Sequence, residues 1–140
     1  MNRSFRLAGL LRLRALQEEQ AAAALALANA DAGRAGEHHQ ETRNVMAGTV
    51  FPDHGDDNTW RAAVADRAAM ASLVGDAAIA VQVATRRSEL AAAEWTAART
   101  SVATLDKLED RHDAVVRAED ERTEQLVLDE AASRLHKEDQ

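Results

Sequence analysis

The segment VFPDHGDDNT, residues 50–59, decides how the chain is organised because it separates two long stretches that are rich in helix-forming residues. It contains Pro52, the only proline of the chain, and Gly48 and Gly55 lie beside or within it. Proline has no backbone N–H and clashes with the preceding helical turn, so a helix does not continue through it. We therefore predict that the chain reverses here, with a turn at about residues 48–58.

Composition on both sides of this turn predicts an all-α fold. The chain has 140 residues, of which 32 are alanine, four are aromatic and none is cysteine. Alanine, glutamate, arginine and leucine favour helices, and all four are common here. No run of β-branched residues alternates with polar ones as a strand would require. We expect one elongated domain over residues 1–140, with a first helix at about 3–47 and a second at about 58–137.

Apolar residues recur at alternating intervals of four and three on both helices, which is the spacing of a coiled coil. Most members of the stripes are apolar. The stripes consist of Trp60, Val64, Arg67, Ala71, Val74, Ala78, Val81, Thr85, Ser88, Ala92 and Trp95 in the second helix, and of Leu7, Leu11, Ala21, Leu25, Ala28, Ala32 and Ala35 in the first, where Arg14 and Glu18 interrupt the spacing. Two such stripes joined by a turn predict an antiparallel coiled-coil hairpin. A reversal near residue 53 would pair Phe5 with about Ser101, so that the longer second helix overhangs at its C-terminal end.

The acidic residues of the turn do not have the spacing of a calcium-binding loop. Counted from Asp53, the sixth position of such a loop is Asn58 instead of glycine, and the twelfth is Val64 instead of glutamate. We expect Asp57, Asn58 or Thr59 to cap the second helix with a side-chain oxygen. An incidental cation site is the alternative interpretation.

The histidines also fail to form a recognisable site. His38 and His39 are adjacent and point about 100° apart on a helix, so they cannot bind one metal as a pair four residues apart would. The histidine of EDRHD (109–113) lies on a charged, solvated helix that offers no pocket to exclude water. Without cysteine there is no thiolate site either. We predict that the protein is not an enzyme and binds no cofactor.

Charge and hydropathy limit the classes of partner. The net charge of −7 argues against a nucleic acid. We expect no membrane span, because no apolar run approaches the ~20 residues that one needs. The segment AAAALALANA (21–30) could be taken for the apolar part of a secretion signal, but the charged RLRALQEEQ before it indicates earlier turns of one helix.

Two segments resemble the family of flagellar export proteins called FliJ. The first is FRLAGLLRLRALQEEQAAAALA (5–26), in which a basic, leucine-rich stretch leads into an acidic pair and alanines. The second is LDKLEDRHDAVVRAEDERTEQLVLDEAA (105–132), where the matching positions are Arg122, Glu124, Gln125, Leu128, Asp129 and Glu130. Trp60 and Trp95 stand where some members have tryptophan, and Leu126 replaces a common lysine.

This resemblance implies a function in the bacterial flagellar type III protein export apparatus, and hence in flagellum assembly, motility and chemotaxis. Members are similar to the central stalk of rotary ATP synthases, and they dock to the hexameric export ATPase and to the membrane export gate. Export chaperones are a further implied partner. The expected location is the cytoplasm, at the inner face of the cell membrane beneath the flagellum.

The overhanging end of the second helix is the predicted docking surface, because its apolar residues have no intramolecular partner there. The predicted partner-binding residues are Leu105, Leu108, Val115, Arg122, Gln125, Leu128, Asp129 and Glu130, with Phe5, Arg6, Leu7, Leu11 and Arg14 at the base of this surface. One alternative is a coiled-coil adaptor without an export function. The other is a peripheral membrane helix that uses Arg3, Arg6, Arg12 and Arg14 against anionic lipid.

Overall fold

The computed structural model describes residues 4–138, and side chains from residue 4 to residue 137. Within this range the chain forms two helices, α1 (Ala8–Gly48, 41 residues) and α2 (Asp57–Glu138, 82 residues), and no β-strand. The two helices pack against each other in antiparallel directions, and α2 is the longer. The predicted all-α fold of two unequal antiparallel helices is therefore confirmed.

The first helix begins later than we predicted. Helix α1 starts at Ala8 instead of about residue 3, and it ends at Gly48. The backbone N–H of Ala8 donates to the carbonyl of Phe5 at 3.1 Å, which closes a turn just before the helix. This turn lets the Phe5 side chain lie against α2. Arg3 lies outside the described residues.

The second helix begins at Asp57, and the residue that caps it is Asp56. The Asp56 carboxylate accepts hydrogen bonds from the backbone N–H and from the hydroxyl of Thr59, both at 2.9 Å. The prediction that Asp57, Asn58 or Thr59 supplies the capping oxygen is wrong by one residue. An N-cap side chain reaches the N–H three residues later, and Asp56 has that relation to Thr59.

Gly55 shapes the chain immediately before this cap. Its φ angle is +154°, a conformation that L side chains rarely adopt. A β-carbon on Gly55 would also lie 2.7 Å from both Cβ and Cγ2 of Thr59. The loop can therefore approach the first turn of α2 this closely because residue 55 is glycine.

The described residues belong to two compact units, each of which contains parts of both helices. We call Glu19–Ala97 the loop unit, and Met1–Glu18 together with Ala98–Gln140 the terminal unit. The predicted single domain over residues 1–140 stays a prediction, and the two units are described separately below.

In the loop unit the seam between the helices follows the spacing of a coiled coil with no interruption. Its members on α1 are Ala21, Leu25, Ala28, Ala32, Ala35, His39, Thr42 and Met46, and its members on α2 are Ala63, Arg67, Met70, Val74, Ala77, Val81, Ala84, Ser88, Ala91 and Trp95. All are half-buried or buried. Most are small, so the helices approach closely but bury little apolar surface per turn.

Half of the predicted α2 stripe is displaced by one residue in the structure. Met70 and Ala84 face α1, whereas the predicted members Ala71 and Thr85 are exposed. Trp60 is likewise outside the seam, with 54% of its surface exposed. An alanine-rich helix has a small apolar side chain at both of two neighbouring positions, so hydropathy alone does not show which of them is in the seam.

The terminal unit contains a shorter stretch of the same pairing. The half-buried or buried residues are Phe5, Ala8, Leu11 and Glu18 before or on α1, and Ala98, Ser101, Val102, Leu105, Glu109, His112 and Val116 on α2. Asp120 is the last half-buried residue of α2. The overhang of α2 at its C-terminal end is therefore confirmed, but it starts well after residue 105.

The predicted pairing register is wrong by about three helical turns. Phe5 lies beside His112 instead of Ser101, and Asn29 is hydrogen-bonded to Ser88 instead of lying opposite Ala77. The cause is the non-helical chain between Gly48 and Asp57. A non-helical residue can advance further than the ~1.5 Å of a helical one, and the loop runs beside the first turns of α2, where Thr49 contacts Arg67 and Phe51 contacts Trp60, before α1 becomes level with it.

The hydropathy of α2 also differs from our expectation. Among the described residues this helix contains an 18-residue window with a mean hydropathy of 1.5, of which 6% is buried. The expectation that no segment is apolar enough for a membrane span is wrong by this measure. The measure considers only length and composition, and helices of proteins outside membranes satisfy it too.

Candidate partner-binding site

The C-terminal part of α2 has no neighbouring element in the terminal unit. Every described side chain from Glu121 to Lys137 is exposed. Four large apolar side chains in this segment are between 61% and 64% exposed, namely Leu126, Val127, Leu128 and Leu135. We call residues 121–137 the bare segment. Its leucines are too numerous for an ordinary solvated helix face, so it is the strongest candidate for a binding surface in this unit.

Hydrogen bonds between side chains one turn apart stabilise the bare segment. Gln125 Nε2 donates to Asp129 Oδ1 at 2.8 Å, and Arg134 Nη2 pairs with Glu130 Oε1 at 2.5 Å. Such pairs contribute about 0.2–0.5 kcal/mol each to a solvated helix. They hold the helix together without covering its apolar residues.

The apolar residues of the bare segment line two shallow grooves. One groove has a volume of about 490 Å³ and is lined by Thr123, Glu124, Val127 and Leu128 next to Asp120. The other has a volume of about 390 Å³ and is lined by Val127, Glu130, Ala131, Arg134 and Leu135. Val127 borders both grooves, although sequence reasoning did not select it. Its place between two leucines made it hard to distinguish from them.

The predicted docking residues divide into accessible and inaccessible ones. Arg122, Gln125, Leu128, Asp129 and Glu130 are exposed in the bare segment, as predicted. Val115 and Leu108 are exposed on the paired part of α2.

Leu105 is the exception, because only 8% of its surface is exposed. The expectation that it has no intramolecular partner is wrong. The later register carries α1 over this position, so Leu105 belongs to the seam of the terminal unit.

The predicted base of the surface, at the start of α1, is partly covered. The Phe5 ring lies 5.7 Å from the His112 ring, and Leu11 is half-buried. Leu7, Arg6 and Arg14 are exposed, and Arg14 Nη1 donates to Gln17 Oε1 at 3.1 Å. Phe5 and Leu11 therefore hold the two segments of the terminal unit together, while the remaining three side chains are accessible.

In the loop unit, an aromatic and cationic cluster fastens the loop to α2. The Phe51 and Trp60 rings are 5.1 Å apart, and the guanidinium carbon of Arg67 lies 5.5 Å from the centroid of the Phe51 ring. Arg67 also donates to the carbonyl of Thr49 at 3.4 Å. Sequence reasoning missed this cluster, because it depends on the path of the loop.

Asp56, next to this cluster, has a structural function. The hydrogen bonds from the Thr59 backbone and hydroxyl lower the pKa of Asp56 below its ordinary value. This shift indicates that the ionised carboxylate is the form that caps α2. Among residues 4–138 no group of three or more His, Asp or Glu side chains is placed to hold a metal ion.

The comparison with known families now decides the assignment. The sequence model of the family described as flagellar FliJ protein matches residues 3–140. The chain belongs to the FliJ family. Searches of curated proteins and of solved structures find no match.

Membership of the FliJ family makes the chain a component of the flagellar export apparatus, and this family is not a known enzyme family. The two segments that carry the resemblance lie in the terminal unit and at the start of the loop unit. The positions that match the FliJ closing motif, from Arg122 to Glu130, are all in the bare segment. The family likeness and the exposed apolar surface therefore coincide.

Proposed function

We propose that this FliJ-family protein acts as a non-enzymatic, stalk-like subunit that docks to the hexameric export ATPase through the bare segment. The observation that supports this proposal is the exposure of Leu126, Val127, Leu128 and Leu135 at the end of a helix with no neighbouring element in its unit. Val127, Leu128 and Leu135 lie on one side of the helix together with Ala131, and Leu126 lies on the opposite side. An apolar strip of this kind on a single helix is a typical ligand for a hydrophobic groove or ring interior.

The other polar groups of the bare segment suit the same function. Arg122 is exposed, and the Gln125–Asp129 and Glu130–Arg134 pairs present both charges around the apolar strip. Polar groups that surround an apolar centre supply specificity and orientation in protein interfaces. The exposed Arg6 and Arg14 at the start of α1 would extend the contact.

Contacts with the membrane export gate and with export chaperones complete the proposal. The protein would then work in the cytoplasm at the inner face of the membrane, and its loss would prevent flagellum assembly, motility and chemotaxis. No hydrolysis of ATP by this chain is needed in this function, since the ATPase supplies it.

The affinity of the Leu128→Ala variant for the export ATPase, compared with the affinity of a matched control variant, tests the proposal. Leu27→Ala is that control, because Leu27 is 68% exposed on α1 and Leu128 is 63% exposed on α2. Both substitutions remove the same atoms from a solvated helix face. We expect Leu128→Ala to weaken binding by about 1–3 kcal/mol, the usual range for a buried apolar anchor, and Leu27→Ala to leave it unchanged.

Isothermal titration calorimetry with the purified ATPase hexamer gives the affinities. Equal affinities for the native protein and Leu128→Ala would contradict docking through the bare segment. Absence of any binding by the native protein would instead favour the alternative of an adaptor outside the export apparatus.

A further inference from the structure

The outer face of α2 in the loop unit carries a second apolar stripe that α1 does not cover. Its members are Ala65, Ala69, Ser72, Asp76, Ile79, Val83, Arg86, Leu90, Ala93 and Ala97, and all of them are exposed. They follow each other at alternating intervals of four and three without interruption, as the members of the seam do. They lie on the side of the helix opposite to the seam residues Ala77 and Ala84.

This second stripe is too apolar for a solvated face. Seven of its ten members are apolar, and they include Ile79 and Leu90, which are 59% and 61% exposed. Between Arg67 and Arg86 the only charged residue of α2 is Asp76. A regular stripe sustained over more than four heptads indicates a second helix partner instead of scattered surface residues.

The spacing of the stripe is compatible with an antiparallel copy of the same helix as that partner. Positions 79 and 83, 76 and 86, 72 and 90, 69 and 93, and 65 and 97 are pairs that lie equally far from Val81. An antiparallel copy of the same helix, related by a two-fold axis at the level of Val81, would therefore place members of the stripe opposite members of the stripe throughout. Such a two-fold contact uses one patch on both chains.

The two charged members of the stripe support the same arrangement. In the antiparallel copy Asp76 lies opposite Arg86, and the two-fold axis creates this pair twice. A parallel arrangement in register would instead place Asp76 against Asp76 and Arg86 against Arg86. Opposite charges across a helix interface favour one orientation, and like charges disfavour the other.

From this complementarity we propose that the protein forms an antiparallel homodimer through the outer stripe of α2, Ala65–Ala97. The Ile79 and Val83 side chains of the two chains pack at its centre, flanked on both sides by an Asp76–Arg86 pair. The alanines at both ends allow the two helix backbones to approach closely. This contact is separate from the bare segment and does not depend on the proposed docking to the ATPase.

Charge exchange at positions 76 and 86 tests the dimer directly. Asp76→Arg leaves two positive charges on the stripe, and Arg86→Asp leaves two negative charges. We expect each variant alone to raise the dissociation constant of the dimer at least about ten-fold, because both cross-pairs become repulsive. An equimolar mixture of the two variants should dimerise again, and so should the double variant D76R/R86D.

Sedimentation and light scattering give the mass, for which a dimer is twice the chain mass of 15.2 kDa. A control for apolar packing is available, since Leu73 and Ile79 are both 59% exposed and only Ile79 is on the stripe. Ile79→Lys should abolish the dimer, and Leu73→Lys should retain it. Circular dichroism checks that all variants keep the helical content of the native protein.

Four outcomes would overturn the proposal. The native protein could remain a monomer at every concentration up to its solubility limit. Each single charge variant could dimerise as well as the native protein, or the mixture of variants could fail to recover the dimer. A monomer that binds vesicles of phosphatidylglycerol and phosphatidylcholine through Ile79 would show that a lipid surface covers the stripe instead.

Discussion

Two parts of α2 have similar leucines but different surroundings. In the paired part, Leu105 is 8% exposed and lies in the seam of the terminal unit. In the bare segment of the same unit, Leu128 is 63% exposed. The first contributes to folding because α1 covers it. The bare segment around Leu128 is stabilised by side-chain pairs within its own helix, and these pairs leave the apolar surface of Leu128 available to a partner.

This difference separates residues that stabilise the fold from residues that are available for binding. The cap at Asp56, the loop cluster at Phe51 and the seams hold the first part of α2 in place. Every described side chain after Asp120 is exposed. The paired part can therefore be tested by stability, and the bare segment by binding.

The largest expected effect on stability comes from Leu105. Leu105→Ala should lower the free energy of unfolding by about 2–4 kcal/mol, because it removes a buried side chain from the seam. Leu128→Ala should change it by less than about 0.5 kcal/mol, because that side chain is solvated. Urea denaturation followed by circular dichroism measures both. Equal decreases in the free energy of unfolding for the two variants would show that the Leu128 side chain is buried in solution.

A smaller effect is expected at the loop that precedes α2. Gly55→Ala should lower the free energy of unfolding by about 1–3 kcal/mol, since alanine would have an unfavourable φ and its β-carbon would collide with Thr59. Gly33→Ala is the control, because Gly33 lies within α1 with open space around it. That substitution should increase the free energy of unfolding by about 0.5–1 kcal/mol.

Opposite signs for these two glycines in thermal unfolding would confirm that the loop conformation is specific. If Gly55→Ala stabilises the protein as Gly33→Ala does, the close approach of residue 55 to Thr59 does not exist in solution.

The smallest effect is the pH dependence of the cap. Hydrogen bonds from Thr59 lower the pKa of Asp56 in the folded protein. The contribution of the ionised Asp56 cap to stability is therefore complete above the ordinary aspartate pKa of about 3.9. The contribution is lost as the pH falls through the lower pKa of the folded state. Protection of the Trp60 amide against hydrogen exchange should therefore decrease in acid, since its N–H bonds to the carbonyl of Asp56 at 3.1 Å.

Asp56→Asn serves as the comparison for this prediction. Asparagine caps helices well but does not titrate, so the variant should keep most of the protection and lose its dependence on acid pH. An identical acid dependence in the variant would assign the effect to another group.

The sequence predicted the fold class correctly for a clear physical reason. Proline at position 52 excludes a continuous helix, and the flanking stretches contain little except good helix formers. The α1 seam from Ala21 to Ala35 was also predicted correctly. In α2, alanines occur at neighbouring positions on two faces of the helix, so hydropathy favoured both faces equally. About half of the predicted stripe was therefore placed one residue away from the observed seam.

The register could not be predicted because it depends on the loop. Pro52 shows that the chain reverses, but not that residues 49–56 extend beside the first turns of α2. That path depends on the contacts of the Phe51 ring with Trp60 and Arg67. Because of this error in the register, Leu105 was predicted to lie in the overhang, although it lies in the seam. The positions from Arg122 to Glu130 are far enough along α2 to lie outside the pairing in either register.

The most direct test of the account is removal of the bare segment, residues 121–140, followed by measurement of binding to the export ATPase hexamer. The truncated protein keeps both seams, the loop cluster and the cap, so its melting temperature should remain close to that of the native protein. We predict that it no longer binds the ATPase and does not restore motility. Full affinity of the folded, truncated protein would contradict the claim that α2 docks through its C-terminal end.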